Sequence, residues 1–229
     1  MYMIKPAEIT RGKTTWPICV AVIFLMWPLS AKAAESLEGW TQRLHIIGKA
    51  ARYLQGIELN PLEHGTTFEI TSELIQVNLA LGDTTAQSIT LVPSSAADEF
   101  KIEQQYETSL SISDEGPHMD LVHWKHYVSS WTEVEKTADL QFRSREVFGN
   151  EFPDTTQAEI VEAARRELKL WSQEGFQSER WIELAGQCKD PWTEPCGIGV
   201  SKVRLKIKVR EAGEWKEIQM LEFVVPMGC

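Results

Sequence analysis

Lys202-Val203-Arg204-Leu205-Lys206-Ile207-Lys208-Val209-Arg210 alternates cation and aliphatic without a break. A period of two is that of an extended strand, whose successive side chains point to opposite faces. One face of this strand is apolar and must be covered, while the other carries five positive charges. Glu211-Ala212-Gly213-Glu214 turns the chain, and Trp215 to Val225 returns as the second arm of a hairpin. Near its end the returning arm is apolar on both parities, which places it inside a sheet. Two registers match apolar partners, so the pattern alone does not fix the pairing.

The same period recurs upstream. Phe100, Ile102, Tyr106, Leu110 and Ile112 keep one parity over a length that helical spacing does not match. Asp114-Glu115-Gly116-Pro117 ends that run, and Leu121 to Val128 reads as a strand paired back on it. Ile75, Val77, Leu79 and Leu81 alternate, with Phe68 and Ile70 before them. Ile89 to Val92 reads as a short strand before Pro93, and Leu140 and Phe142 mark another.

Two segments read as helices. Over residues 154–172, Ile160, Val161, Ala164, Leu168 and Trp171 form an apolar stripe. Thr156 with Glu159, or Asp154 with Gln157, has the spacing of a capping box. Glu162 and Arg166 make a favourable i,i+4 pair. Over residues 36–55, Leu37, Trp40, Leu44, Ile47, Ala51 and Leu54 recur three or four apart. Gly39 and Gly48 each weaken that helix by about 1 kcal/mol. The expected fold is α+β: an antiparallel twisted β-sheet with the long helix (about 154–172) and an N-terminal helix (about 36–55) packed on it. The alternative is a β-sandwich with peripheral helices.

Residues 1–33 read as a cleaved secretory signal. Lys5, Arg11 and Lys13 precede the uncharged apolar run Trp16 to Leu29, and Ala31 and Ala33 occupy the small-residue positions of a cleavage site. The run carries Pro17 and Pro28 and is shorter than the roughly 20 residues a membrane span needs. No other segment is apolar enough to span, so residues 34–229 are expected as a single α+β domain with no transmembrane span after cleavage. The expected location is periplasmic or secreted. No N-x-S/T acceptor occurs, which leans toward a bacterial envelope.

Removing the leader's four basic residues and one acid takes the formal charge from −10 to −13. That balance argues against nucleic acid as a partner, because such affinity comes from neutralising phosphates. Cys188, Cys196 and Cys229 remain after cleavage. In an oxidising compartment a pair is expected to bridge, and Cys188 with Cys196, flanking a loop with Pro191 and Pro195, is the favoured pair. Cys229 is left as a frayed terminal residue or an intermolecular link.

Three groups of residues are candidate sites. Lys202, Arg204, Lys206, Lys208 and Arg210 form a basic face suited to anionic lipid or an acidic envelope protein, unless acids on neighbouring strands neutralise it. Trp192, inside the expected disulfide loop, is the exposed aromatic candidate, whereas Trp40, Trp171 and Trp215 fit core patterns. His118, His123 and His126 are a candidate metal cluster with acids nearby, although His123 and His126 point to opposite faces of a strand. No G-x-S-x-G, C-x-x-C or P-loop occurs, and no cofactor is expected. The leading expectation is an exported, non-enzymatic envelope protein that binds a protein, lipid or small-molecule partner. The alternative is a metal-dependent or hydrolytic enzyme built on the three histidines.

Overall fold

The run 202–210 lies at the centre of the larger of two sheets. The structure is a computed structural model that describes residues 40–229 except 63, 82, 97, 115–117, 171–177 and 228–229. The expected leader, Trp171 and Cys229 lie outside the described residues. The strands are β1 (Trp40–His45), β2 (Leu54–Leu62), β3 (Thr67–Ile70), β4 (Leu74–Asn78), β5 (Ser88–Pro93), β6 (Phe100–Ser113), β7 (His118–Asp120), β8 (Tyr127–Val128), β9 (Thr132–Glu133), β10 (Glu135–Ala138), β11 (Gln141–Arg143), β12 (Cys196–Glu211) and β13 (Glu214–Val224). The helices are α1 (Gln157–Leu170) and α2 (Ser178–Ala185), with a 3-10 turn at Gly48–Arg52.

One sheet has the order β1-β2-β5-β11-β10. The other runs β3-β4-β13-β12-β6-β7, with β8 and β9 also paired to β6. All pairings are antiparallel except β4 with β13. The hairpin turn of β12 and β13 has positive φ at both Ala212 and Gly213, the backbone of a tight two-residue connection matched to strand twist. The register sets Val203 opposite Phe223 and Leu205 opposite Leu221, so aliphatic faces aliphatic on the buried side.

The two sheets share one core. Ile57, Leu59, Leu62, Ile89, Leu91 and Phe142 of the smaller sheet pack with Ile75, Val77, Ile102, Val203, Leu205, Ile207, Leu221 and Phe223 of the larger. Each fully buried aliphatic here contributes about 1.5–3 kcal/mol over its exposed state. Antiparallel sheets with a few helices agree with the expected α+β class, and the strands form two sheets that share a core.

The same face of the larger sheet has a second core at its other end. A bulge between Val200 and Lys202 shifts the β12 register against β6. Before it the inward residues of β12 are Cys196 and Ile198, and after it they are Val203, Leu205, Ile207 and Val209. Strand β6 has no such shift, so Leu110 and Ile112 continue the row of Phe100 and Ile102. They meet Ile160, Ala164 and Leu168 of α1, Trp181 and Leu184 of α2, and the Cys188–Cys196 disulfide. Helix α1 begins at the expected capping box. The Thr156 backbone N–H donates to Glu159 Oε2 at 2.9 Å, and Glu159 N–H donates back to the Thr156 hydroxyl. The Glu162–Arg166 pair forms at 3.2 Å on the exposed side.

Two expectations fail. The helix over 36–55 is replaced, within the described residues, by β1, the 3-10 turn and the start of β2. Leu44 and Ile46 are both buried and two apart, a strand period that the helical match concealed. Gly48 has φ +71, and a Cβ on it would lie 2.7 Å from Ser72 Cβ, so a helix cannot run through it. The strand over 121–128 survives only as β8, because residues 121–126 form a loop between β7 and β8.

Candidate functional site

The basic face is a closed ion-pair ladder. Arg204 donates to Glu222 at 2.7 Å and to Glu107 at 2.8 Å. Lys208 pairs with Glu103 at 2.6 Å, Arg210 with Glu99 at 3.2 Å, Lys206 with Glu217 at 3.4 Å and Lys202 with Glu222 at 4.0 Å. Lys206 also sits 4.0 Å from the Trp131 ring centroid. Glu103 and Glu107 come from β6 and Glu217 and Glu222 from β13, so strands on both sides of β12 supply the acids. Although burial opposes it, the Lys208 and Lys101 ammonium groups hold the Glu103 carboxyl below its ordinary range. Every cation of the stripe has an acid within 4.0 Å, the neutralised arrangement that the sequence left open. Trp215 is likewise not core: it is 38% exposed and stacks under Lys101.

The three histidines disperse. His118 Nε2 lies 3.5 Å from Asp120, His123 Nδ1 lies 3.0 Å from Glu167, and His126 Nδ1 lies 4.0 Å from Glu107. Among the described residues no group of three or more His, Cys, Asp or Glu could hold a metal. His118, His123 and His126 are therefore not gathered into one ligand group among the described residues. His118 stays with Asp120 on β7, while the loop after β7 hands His123 to α1 and His126 to β6, which sequence proximity could not show.

Glu167 was missed in the sequence. It lies on the buried side of α1 at 3% exposure, within an otherwise apolar stripe. Its neighbour Asp120 has one carboxylate oxygen buried with no hydrogen-bond partner among the described residues. Burial first, and then the Glu167 carboxylate, raise the Asp120 carboxyl above its ordinary range, against the lowering effect of His118. A carboxyl raised by folding stabilises the fold when protonated, and that contribution is lost as pH rises through its folded value. Asp120→Asn, which keeps the shape without the charge, is expected to raise Tm at pH 7 and leave it unchanged at pH 3.5. A Tm at pH 7 equal to or below that of the parent would contradict this reading of the pair.

A third region holds the exposed aromatics. Between β11 and α1 the chain runs extended across the junction of the two cores. It is fastened along its length. The Ser144 backbone N–H donates to Gln87 O at 2.9 Å, Gln104 bonds both the N–H and the C=O of Arg145, and the Thr108 hydroxyl donates to Glu151 O. At Gly149 the backbone lies so close to Thr108, Tyr106 and Val200 that an added Cβ would overlap the Thr108 methyl. Only glycine fits this approach. Beside it Phe148 stands 83% exposed.

Trp192, in the disulfide loop between α2 and β12, leans against that segment. Its indole N–H donates to Asn150 O at 2.8 Å, while its ring is 52% exposed. Asp190 Oδ1 accepts from the Trp192 backbone N–H and from the Thr193 hydroxyl, both at 2.9 Å, which fixes the disulfide loop in a side-chain-closed turn. Two clefts flank the segment and share Glu146, Val147 and Phe148. One, of about 540 Å³, has Val200, Val225 and Met227 on its floor, and its only charged lining residues among those described are Asp83 and Glu146. The other, of about 360 Å³, holds Tyr106 and Tyr127. Burial and the adjacent Glu151 push the Tyr106 hydroxyl up to about 12, so it stays protonated and donating. Exposure of Trp192 was legible from its place in a loop; Phe148 gave no signal, because nothing local says that neighbours will hold it outward.

Among the described residues no helix is long and apolar enough to cross a membrane. Compared with known proteins, the chain matches no family model, no curated protein and no solved structure.

Proposed function

We propose that this is an exported, non-enzymatic envelope protein that binds a polypeptide partner through the surface around Phe148 and Trp192. The observation that carries this is a large aromatic side chain held in solvent by backbone fastened on both sides. A hydrophobic side chain on a mobile loop costs affinity when it is ordered on binding, and a pre-fixed one does not. Aromatic anchors beside clefts are the usual centres of protein interfaces. Phe148 and the floor of Val200, Val225 and Met227 call for an apolar side chain. Glu146, exposed at the rim of a strongly acidic protein, favours a basic residue next to it. The occupant is thus a short polypeptide segment with apolar and basic residues. The disulfide agrees with an oxidising compartment.

Peptide display selected on the processed protein tests this. Enriched peptides should pair a large apolar residue with Lys or Arg. Their affinity should fall at least about tenfold on Phe148→Ser, in keeping with loss of an anchor worth 2 kcal/mol or more. Peptides that bind Phe148→Ser and Trp192→Ala as tightly as the parent would overturn the assignment.

A further inference from the structure

A cavity of about 640 Å³ lies where the 3-10 turn of the smaller sheet meets β13 and the β3–β4 turn of the larger. We propose that it binds a small zwitterion of the amino-acid type, with one carboxylate, one ammonium group and an apolar body.

At the cavity β13 breaks its own pattern. A bulge between Ile207 and Lys208 of β12 leaves Ile218 as an extra residue on β13. Bulges re-aim side chains and recur beside functional sites. On the inward side of β13 the row Phe223, Leu221 ends in Gln219 and Lys216 rather than in aliphatics. Lys216 stands opposite the buried Val209, so its parity is inward. Gln219 is 2% exposed, lines the cavity and donates its amide to Met220 O at 3.2 Å. A buried amide at the foot of a cavity of this volume is the kind of placed polar group that fixes a ligand's orientation.

The walls carry both signs of charge. Glu211 accepts from the Tyr53 hydroxyl at 3.0 Å and from Lys216 at 3.2 Å, and lies 3.6 Å from Arg52. One carboxylate therefore serves two cations and a phenol, which leaves positive charge on that wall. Lys49, on the 3-10 turn, makes no ion pair among the described residues. Glu73, on the β3–β4 turn, makes none either, while Glu217 is engaged by Lys206. Lys49 and Glu73 line one cavity from two elements without touching each other. A ligand carboxylate near Lys49 and Lys216, with its ammonium at Glu73, satisfies both. Tyr53, Ala50 and Ile218 supply the apolar surface. The close packing of Gly48 on Ser72 joins the two turns that bear Lys49 and Glu73.

Titration calorimetry of the processed protein tests this, with the common free amino acids, their N-acetyl derivatives and their amides as probes. At least one amino acid should bind. Its N-acetyl form and its amide should each bind about tenfold or more weakly, the effect of one lost charge-assisted hydrogen bond. Glu73→Gln should abolish the preference over the N-acetyl form, and Lys49→Gln the preference over the amide. Phe148→Ser should leave all of these affinities unchanged, so this site and the aromatic surface stand or fall separately. No binding by any amino acid at millimolar concentration, or preferences that survive in Glu73→Gln and Lys49→Gln, would overturn the proposal.

Discussion

Arg204→Met is expected to lower unfolding stability by about 3 kcal/mol and Tm by roughly 10 °C. Arg204 is the centre of the ladder, bonded to Glu222 and to Glu107. The Glu107 side chain is 5% exposed. Without Arg204 it is a nearly buried carboxylate whose nearest remaining basic group is His126, at 4.0 Å. Leaving such a charge unpaired is what makes breaking a buried pair expensive, whereas removing both members often costs little. The double variant Arg204→Met with Glu107→Leu should recover most of the loss. Urea unfolding of both variants measures this. A loss under 0.5 kcal/mol for the single variant, the usual size of a solvated surface pair, would mean that the ladder does not hold the sheet.

The second large effect is expected at the disulfide. Cys188 and Cys196 are eight residues apart and bonded, and both lie in the core beneath the helices. Closing so short a loop limits the unfolded chain by about 2.5 kcal/mol in the entropy model, and removing native bridges generally costs 2–5 kcal/mol. The bridge also anchors the loop that presents Trp192. Cys188→Ser with Cys196→Ser should melt about 8 °C lower than the parent, and added reductant should bring the parent down toward the double variant. A parent Tm that reductant leaves unchanged, with no loss in the double variant, would contradict the role given to the bridge.

Strands were legible wherever one face was buried and the other wet. The alternations in β6 and β12 needed no tertiary information, and neither did the capping box of α1. The segment at 36–55 misled because its apolar residues fit both periods, and the helical one is broken at Gly48, whose backbone is left-handed and leaves no room for a Cβ beside Ser72. The bulges at Ser201 and Ile218 left no local mark. The first decides which β12 residues meet the helices, and the second lies at the cavity. The basic stripe was read correctly as a strand face. Its neutralisation depended on which strands flank it, and Glu103, Glu107, Glu217 and Glu222 identify themselves only once the register is known. Glu167 and Phe148 each break a local rule, an acid facing a core and an aromatic facing water. Such breaks emerge from the packing around a residue rather than from its neighbours in sequence.

The proposed role rests on export, and one measurement reaches that directly: the intact mass of the protein recovered from its own cells, with and without thiol labelling. The account predicts a chain beginning at Ala34, found in the envelope or outside the cell, with Cys188 and Cys196 unavailable to label until reduced. A chain of all 229 residues in the cytoplasm, with every cysteine labelled, would contradict it.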